Sequence, residues 1–111
     1  MSTEREKPKL GTEPPAAFAV EFATSWRRWA KNLDEDELNE LTRRLAQLRD
    51  GIGHPHAHDG LGIRRLKRAV FEFRLSRGLR AVFVLLKEAR VLQLQMIGNH
   101  DEVRAWVKEN T

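Results

Sequence analysis

Four stretches of the chain have hydrophobic patterns typical of β-strands. Apolar and polar residues alternate over residues 18–22, 71–75 and 92–96, which predicts strands with one buried face. Residues 80–86 are nearly all apolar, as expected of a central strand that is covered on both sides. In the last predicted strand, the side chains expected to face the core are Leu92, Leu94 and Met96.

Three other stretches carry apolar residues at helical spacing. The first contains Trp26 and Trp29, which form a core stripe or, alternatively, a platform on which bases stack. The second opens on four consecutive acidic residues at the positive end of the helix dipole and ends at Gly51. The third opens on Asn99 with Glu102 three residues later, which predicts a capping box.

The predicted order of elements is therefore β-α-α-β-β-β-α. It favours an α+β fold, with a small, mostly antiparallel, twisted sheet that carries a helical hairpin on one face and a C-terminal helix. Residues 16–111 are expected to form one domain, whereas residues 1–15 are polar, contain proline and predict a disordered tail. Because residues 1–15 have no apolar stretch, we do not expect a secretory leader, and no run in the sequence reaches the roughly 18 apolar residues of a membrane span. The chain also has no cysteine, so we expect a cytoplasmic protein.

Positive charge is concentrated in one part of the chain. The formal net charge is +4, but residues 63–80 carry seven cations and a single acid, Glu72. Such asymmetry predicts a polyanionic partner, either nucleic acid or an acidic protein, although a solvated basic face is the alternative. The seven cations are Arg64, Arg65, Lys67, Arg68, Arg74, Arg77 and Arg80.

Two segments of the chain resemble a known family. Residues 65–67 and 73–83 are similar to its second and third strands, and residues 96–103, which include Asn99 and His100, are similar to its closing motif. The family is the RelE/ParE superfamily, the toxin half of type II toxin–antitoxin pairs, and the resemblance covers residues 16–107. It implies an antitoxin protein as partner. RelE-like members cleave mRNA on the ribosome without a metal, whereas ParE-like members inhibit DNA gyrase.

The resemblance also implies site residues. Arg80 matches the arginine that contacts the scissile phosphate in nuclease members, and Arg74 matches a basic position on the preceding strand. His100 takes the place of a catalytic histidine or arginine. The chain departs from the pattern in having no tyrosine, so the aromatic residue that often assists cleavage is absent, and Arg104 stands near its position. Val70 and Glu72 stand where some RelE members have a pair of lysines.

The chemistry of RNA cleavage separates these candidates. Arginine holds phosphate well, but it stays protonated at neutral pH and cannot shuttle protons. Histidine ordinarily changes charge near neutral pH, so His100 is the candidate for proton transfer, with Glu72 as the candidate partner base. The alternatives are a helix cap for His100 and a structural ion pair with Arg74 or Arg80 for Glu72. Further candidates for RNA or phosphate binding are Arg64, Arg65, Lys67, Arg68, Arg77 and Arg104.

A second group of candidate ligands is the histidine loop, His54, His56 and His58 with Asp59. Alternating histidines can bind zinc, copper or nickel, but no further ligand set lies nearby in the sequence, and we interpret the loop as a surface loop. No metal or other cofactor is predicted. Three functions remain open: an mRNA endonuclease of the RelE kind, which we favour, a gyrase inhibitor of the ParE kind, and a degenerate, non-toxic binding module.

Overall fold

The computed structural model describes residues 18–51 and 61–111. The predicted tail at residues 1–15 and the histidine loop lie outside these residues. The elements in the described part are β1 (Ala19–Phe22), α1 (Trp26–Ala30), α2 (Glu35–Gly51), β2 (Arg64–Lys67), β3 (Val70–Arg74), β4 (Arg80–Leu86), β5 (Val91–Gly98) and α3 (His100–Asn110). None of these helices is long and apolar enough to cross a membrane.

The five strands form one sheet in the order β1-β5-β4-β3-β2. β1 pairs with β5 in parallel, and every other pair is antiparallel, which confirms the predicted α+β class. The hydrophobic pattern did not predict strand β2, although residues 65–67 belong to the segment that resembles the strands of the family. The four residues of β2 are mostly polar and only Leu66 is partly buried, so no alternating pattern marks it. It forms because its backbone pairs with the edge of β3, where Arg64 lies opposite Glu72.

A bulge in β5 reverses the alternation of its side chains between the two sides of the sheet. Val82 of β4 pairs with Met96, but its neighbour Phe83 pairs with Leu94, so Gln95 is an extra residue in the ladder. Met96 therefore lies on the opposite side of the sheet from Leu94. The prediction that the two share a core face was wrong, because an added residue shifts the alternation by one.

Helices α1 and α2 cover one side of the sheet, which we call the hairpin face. Its core joins Trp26 of α1 and Leu41 and Leu48 of α2 to the aromatic side chains of Phe73 and Phe83. Trp26 is 7% exposed, which confirms the interpretation as core and not as a stacking platform. The hairpin face thus holds most of the buried apolar side chains.

Helix α3 covers part of the opposite side, which we call the α3 face. Val103, the one buried residue of α3, packs on Val70, Val82 and Met96, and Trp106 packs partly against this cluster. The cluster is smaller than that on the hairpin face. The rest of the α3 face carries charged side chains.

Candidate active site

Charged side chains from three neighbouring strands meet on the α3 face. Arg64 of β2 lies directly opposite Glu72 of β3, and Arg74 of β3 lies opposite Arg80 of β4. Directly opposed residues point to the same side of a sheet, and so do residues two apart on one strand. Arg64 Nη2 and Arg80 Nη1 each lie 3.2 Å from the same oxygen, Oε2 of Glu72. Glu72 is therefore held between two guanidinium groups.

Burial differs sharply within this group. Glu72 is 1% exposed, whereas the side chains of Arg80 and Arg64 are 28% and 60% exposed. The second carboxylate oxygen of Glu72, Oε1, is buried and has no hydrogen-bond partner among residues 18–51 and 61–111. Each guanidinium has five N–H donors and uses only part of them on Glu72. The carboxylate thus lies inside, and cationic donors remain outside.

An open pocket of about 320 Å³ lies beside this group, between β2 and α3. We call it the basic pocket. Its floor is apolar and its rim is cationic, which suits a ligand with both a flat apolar part and negative charge. The lining residues are Arg64, Leu66, Lys67, Glu72, His100, Val103, Arg104, Val107 and Lys108.

His100 is placed at this pocket by the start of α3. Asn99 Oδ1 accepts a hydrogen bond from the Glu102 N–H, and Glu102 Oε1 accepts one from the Asn99 N–H, each at 2.8 Å. This capping box confirms the prediction and shows that Asn99, not His100, caps the helix. The exposed imidazole has no hydrogen-bond partner in the described part of the chain, so it is available to a ligand.

Gly98 connects the end of β5 to this arrangement. It pairs with Arg80 in the sheet, so His100 begins α3 two residues beyond the point where β5 meets Arg80. A Cβ atom at Gly98 would lie 2.7 Å from Glu102 Oε1. A side chain here would push away the carboxylate that closes the capping box, and it would disturb the position of His100.

The structure brings together some, but not all, of the residues predicted from sequence. Lys67 and Arg104 line the basic pocket with Arg64, Glu72 and His100. Arg74 sits beside Arg80, with its side chain against Gly62, whose φ of 64° is in the left-handed region that favours glycine. Five of the ten predicted residues therefore line the pocket, Arg80 is joined to it through Glu72, and Arg74 lies opposite Arg80 in the sheet.

Three predicted binding residues lie elsewhere. Arg65 and Arg68 line a separate pocket with Phe71, and the Arg65 guanidinium lies 5.4 Å from the centre of the Phe71 ring. Phe71 belongs to the hairpin face, so Arg65 points away from Arg64, as the period of two requires. Arg77 is exposed in the turn between β3 and β4. These three are not part of the basic pocket.

Sequence reasoning missed Lys108 and the apolar floor of the pocket. Arg104 and Lys108 are four residues apart on α3, so they share one side of that helix. That spacing is visible in the sequence and could have identified Lys108. Leu66 could not be found in this way, because the strand that carries it has no hydrophobic pattern. In the described part of the chain, no group of three His, Cys, Asp or Glu residues could hold a metal ion.

Comparison with known proteins shows similarity of fold. No family model matches the chain, and no curated protein matches it. A variant of the E. coli toxin RelE in the free state has a TM-score of 0.65 at 17% identity, over 86% of this chain and 100% of that one. RelE in an archaeal RelE–RelB complex from Pyrococcus horikoshii OT3 gives 0.62 at 10% identity, over 76% and 96%.

E. coli YafQ gives a TM-score of 0.60 at 11% identity, over 78% of this chain and 97% of that one. These structures confirm that the chain has the fold that the resemblance implied. At identities this low, the structural similarity establishes the shared fold only. The activity must be argued from the residues at the site.

Proposed function

We propose that this chain is the toxin of a type II toxin–antitoxin pair, and that it is a ribosome-dependent mRNA endonuclease of the RelE kind that needs no metal. The observation that supports this most is that Arg64, Glu72 and His100 line one open pocket, while Arg80 pairs with the same carboxylate oxygen of Glu72 as Arg64 does. The fold, which RelE and YafQ share, supports it independently. An arginine pair beside an exposed imidazole provides both phosphate binding and proton transfer.

In this proposal the reaction is transesterification at one phosphodiester. The 2′-oxygen of the RNA attacks phosphorus, its proton passes to a base, and the bond between phosphorus and the 5′-oxygen breaks. Arg80 and Arg64 contact the phosphate and balance the charge that builds on its oxygens, and Arg74 extends the cationic surface. His100 protonates the departing 5′-oxygen. The products are a 2′,3′-cyclic phosphate and a 5′-hydroxyl. The sequence predicted Glu72 as this base, but the burial of its carboxylate favours water as the acceptor of the 2′-proton.

The proposed partners follow from the same site. Solved neighbours of this fold include RelE–RelB and DinJ–YafQ toxin–antitoxin complexes. We propose that a small antitoxin protein covers the basic pocket and that mRNA on the ribosome enters it, in the cytoplasm. An antitoxin that covers this pocket needs acidic side chains to match the rim of Arg64, Lys67, Arg104 and Lys108.

Expression of the chain in bacteria, with transcript ends mapped across the genome, tests the proposal. We expect growth arrest and new 5′ ends within translated codons, and we expect neither with a His100→Ala variant. Coexpression of an antitoxin from a neighbouring reading frame should restore growth. Loss of DNA supercoiling with intact transcripts would instead indicate a gyrase inhibitor. Normal growth without any antitoxin would indicate a non-toxic binding module.

A further inference from the structure

We infer that Glu72 is a positioning residue, not a base, and that it holds Arg64 and Arg80 together as a two-armed clamp for a single phosphodiester. The inference rests on the proposed function, because that function makes an RNA phosphate the ligand. The clamp consists of Arg64, Glu72 and Arg80. The clamp gives a structural role to the buried carboxylate of Glu72, which the sequence analysis named as a candidate for proton transfer.

The position of the carboxylate argues against proton transfer. A general base must reach the proton that it removes, at hydrogen-bond distance or through one water. Glu72 is 1% exposed, and both guanidinium groups approach its Oε2 atom. Its other oxygen, Oε1, is also buried. Glu72 borders the basic pocket, but a carboxylate that is 1% exposed offers almost no surface to a 2′-hydroxyl there.

The charges of the clamp argue for positioning. Two guanidinium groups that share a site repel each other, and a carboxylate between them removes that repulsion. Burying a carboxylate is costly unless it is paired, and here Arg64 and Arg80 pair with it from the strands on either side of β3. Two positive groups and one negative group leave a formal charge of +1. A phosphodiester, with one negative charge, neutralises what remains.

The exposed donors of the clamp show where the phosphate would bind. Arg64 contacts Glu72 through Nη2 and Arg80 through Nη1, so the other N–H groups of each guanidinium are free to donate elsewhere. Guanidinium groups bind phosphate through pairs of parallel hydrogen bonds. Arginines that are already fixed lose less conformational entropy when they bind. Glu72 thus strengthens phosphate binding without touching the phosphate.

The test is the affinity of Glu72→Gln for a short RNA whose riboses carry 2′-O-methyl groups and which therefore cannot be cleaved. We expect about tenfold weaker binding than wild type, because the variant loses the charge-assisted hydrogen bond from Arg80 and the ion pair with Arg64. The substitution also removes one negative charge, which by itself tightens RNA binding. Loss of positioning and loss of charge therefore change the dissociation constant in opposite directions.

The matched control is Glu88→Gln, which removes the same charge from an exposed residue in the turn between β4 and β5. It should bind the RNA as tightly as wild type or slightly more tightly. If Glu72→Gln binds as tightly as Glu88→Gln, the clamp is overturned. If Glu72→Gln binds more weakly but wild type cleaves no RNA, the nuclease proposal fails and the clamp stands.

The dependence of cleavage on pH separates positioning from base catalysis. With a positioning role, Glu72→Gln lowers the single-turnover rate by a similar factor at every pH. With a base role, the pH–rate profile of the variant differs in shape from that of wild type, and this outcome would overturn the inference. Should Glu72→Gln not fold, Arg64→Lys serves instead, since lysine keeps the charge without the planar fork. Unchanged RNA affinity in that variant would equally refute the clamp.

Discussion

The two faces of the sheet are built from the same strands but differ in what covers them. On the hairpin face, α1 and α2 seal a continuous apolar core that includes Phe73 and Phe83. On the α3 face, a smaller cluster around Val103 leaves room for charged side chains, and Glu72 is buried among them. The hairpin face therefore accounts for most of the buried apolar surface. The α3 face has a smaller apolar cluster and carries the candidate active site. The comparison teaches that stability and activity should respond to different substitutions.

The largest expected effect is on stability, from a substitution on the hairpin face. Phe83 is 1% exposed and packs against Phe71 and Phe73 at centroid distances of 5.6 and 6.1 Å. Phe83→Ala should lower the free energy of unfolding by about 3–5 kcal/mol, because it leaves a cavity in the core. Urea denaturation measures this. Phe22→Ala is the matched control, since Phe22 is 54% exposed and should cost far less. Equal losses would contradict the assignment of the core to this face.

The second effect is on activity, from a substitution on the α3 face. His100 is exposed and has no hydrogen-bond partner in the described chain, so His100→Ala should leave the urea midpoint unchanged. It should lower the cleavage rate about a hundredfold or more, since it removes the general acid. Single-turnover cleavage of ribosome-bound mRNA measures the rate. A rate equal to that of wild type would remove His100 from the mechanism.

A third substitution affects both stability and activity. Asn99→Ala removes the acceptor of the 2.8 Å hydrogen bond from the Glu102 N–H, and it should destabilise the protein by about 1 kcal/mol. Because His100 is the next residue, a frayed first turn should also slow cleavage, but less than His100→Ala does. Asn39→Ala, at an exposed position of α2, is the matched control: it should leave the rate unchanged and should not lower stability, because alanine favours a helix more than asparagine does. Loss of stability with a normal rate would show that the cap does not position His100.

Much of the fold could be predicted from sequence, because burial imposes a pattern. Strands β3 and β4, the capping box at Asn99 and the core position of Trp26 all follow from patterns that the sequence displays. The hydrophobic pattern could not predict strand β2, since an edge strand is held by backbone hydrogen bonds that leave no mark on side-chain polarity. The bulge at Gln95 depends on pairing between strands, which a single sequence does not display.

For the candidate site, the sequence predicted the residue types but not their contacts. The sequence indicated that arginines and a histidine would come together, but the partners of Glu72 depend on register. Arg64 and Arg65 are neighbours in sequence and point to opposite faces, and only the pairing of Arg64 with Glu72 decides which of them joins the site. The expected ion pair with Arg80 is present, but its second arginine comes from a strand that the hydrophobic pattern did not predict.

The smallest expected effect lies on the outer surface of α2, away from both cores. Glu40 accepts side-chain hydrogen bonds from Arg43 and from Arg44, and these hold the pKa of the Glu40 carboxyl below its ordinary range. A carboxyl with a lowered pKa in the folded state stabilises the protein above the ordinary value and loses that contribution as the pH falls through the folded-state pKa. Glu40→Gln should therefore melt slightly below wild type at neutral pH.

The two melting temperatures should converge once the pH lies below the folded-state pKa of Glu40, where the carboxyl is protonated in both the folded and the unfolded state. Arg44 also donates a 3.0 Å hydrogen bond to the carbonyl of Arg74, so release of Arg44 from Glu40 could loosen the end of β3. Glu88→Gln, which removes an equal charge from the β4–β5 turn, is the control. A difference in melting temperature that persists when the Glu40 carboxyl is protonated would mean that Glu40 orders Arg44 by contact and not by charge. The contact from Arg44 of α2 to the end of β3 would then connect the two faces of the sheet. The two faces would be less independent of each other than their packing indicates.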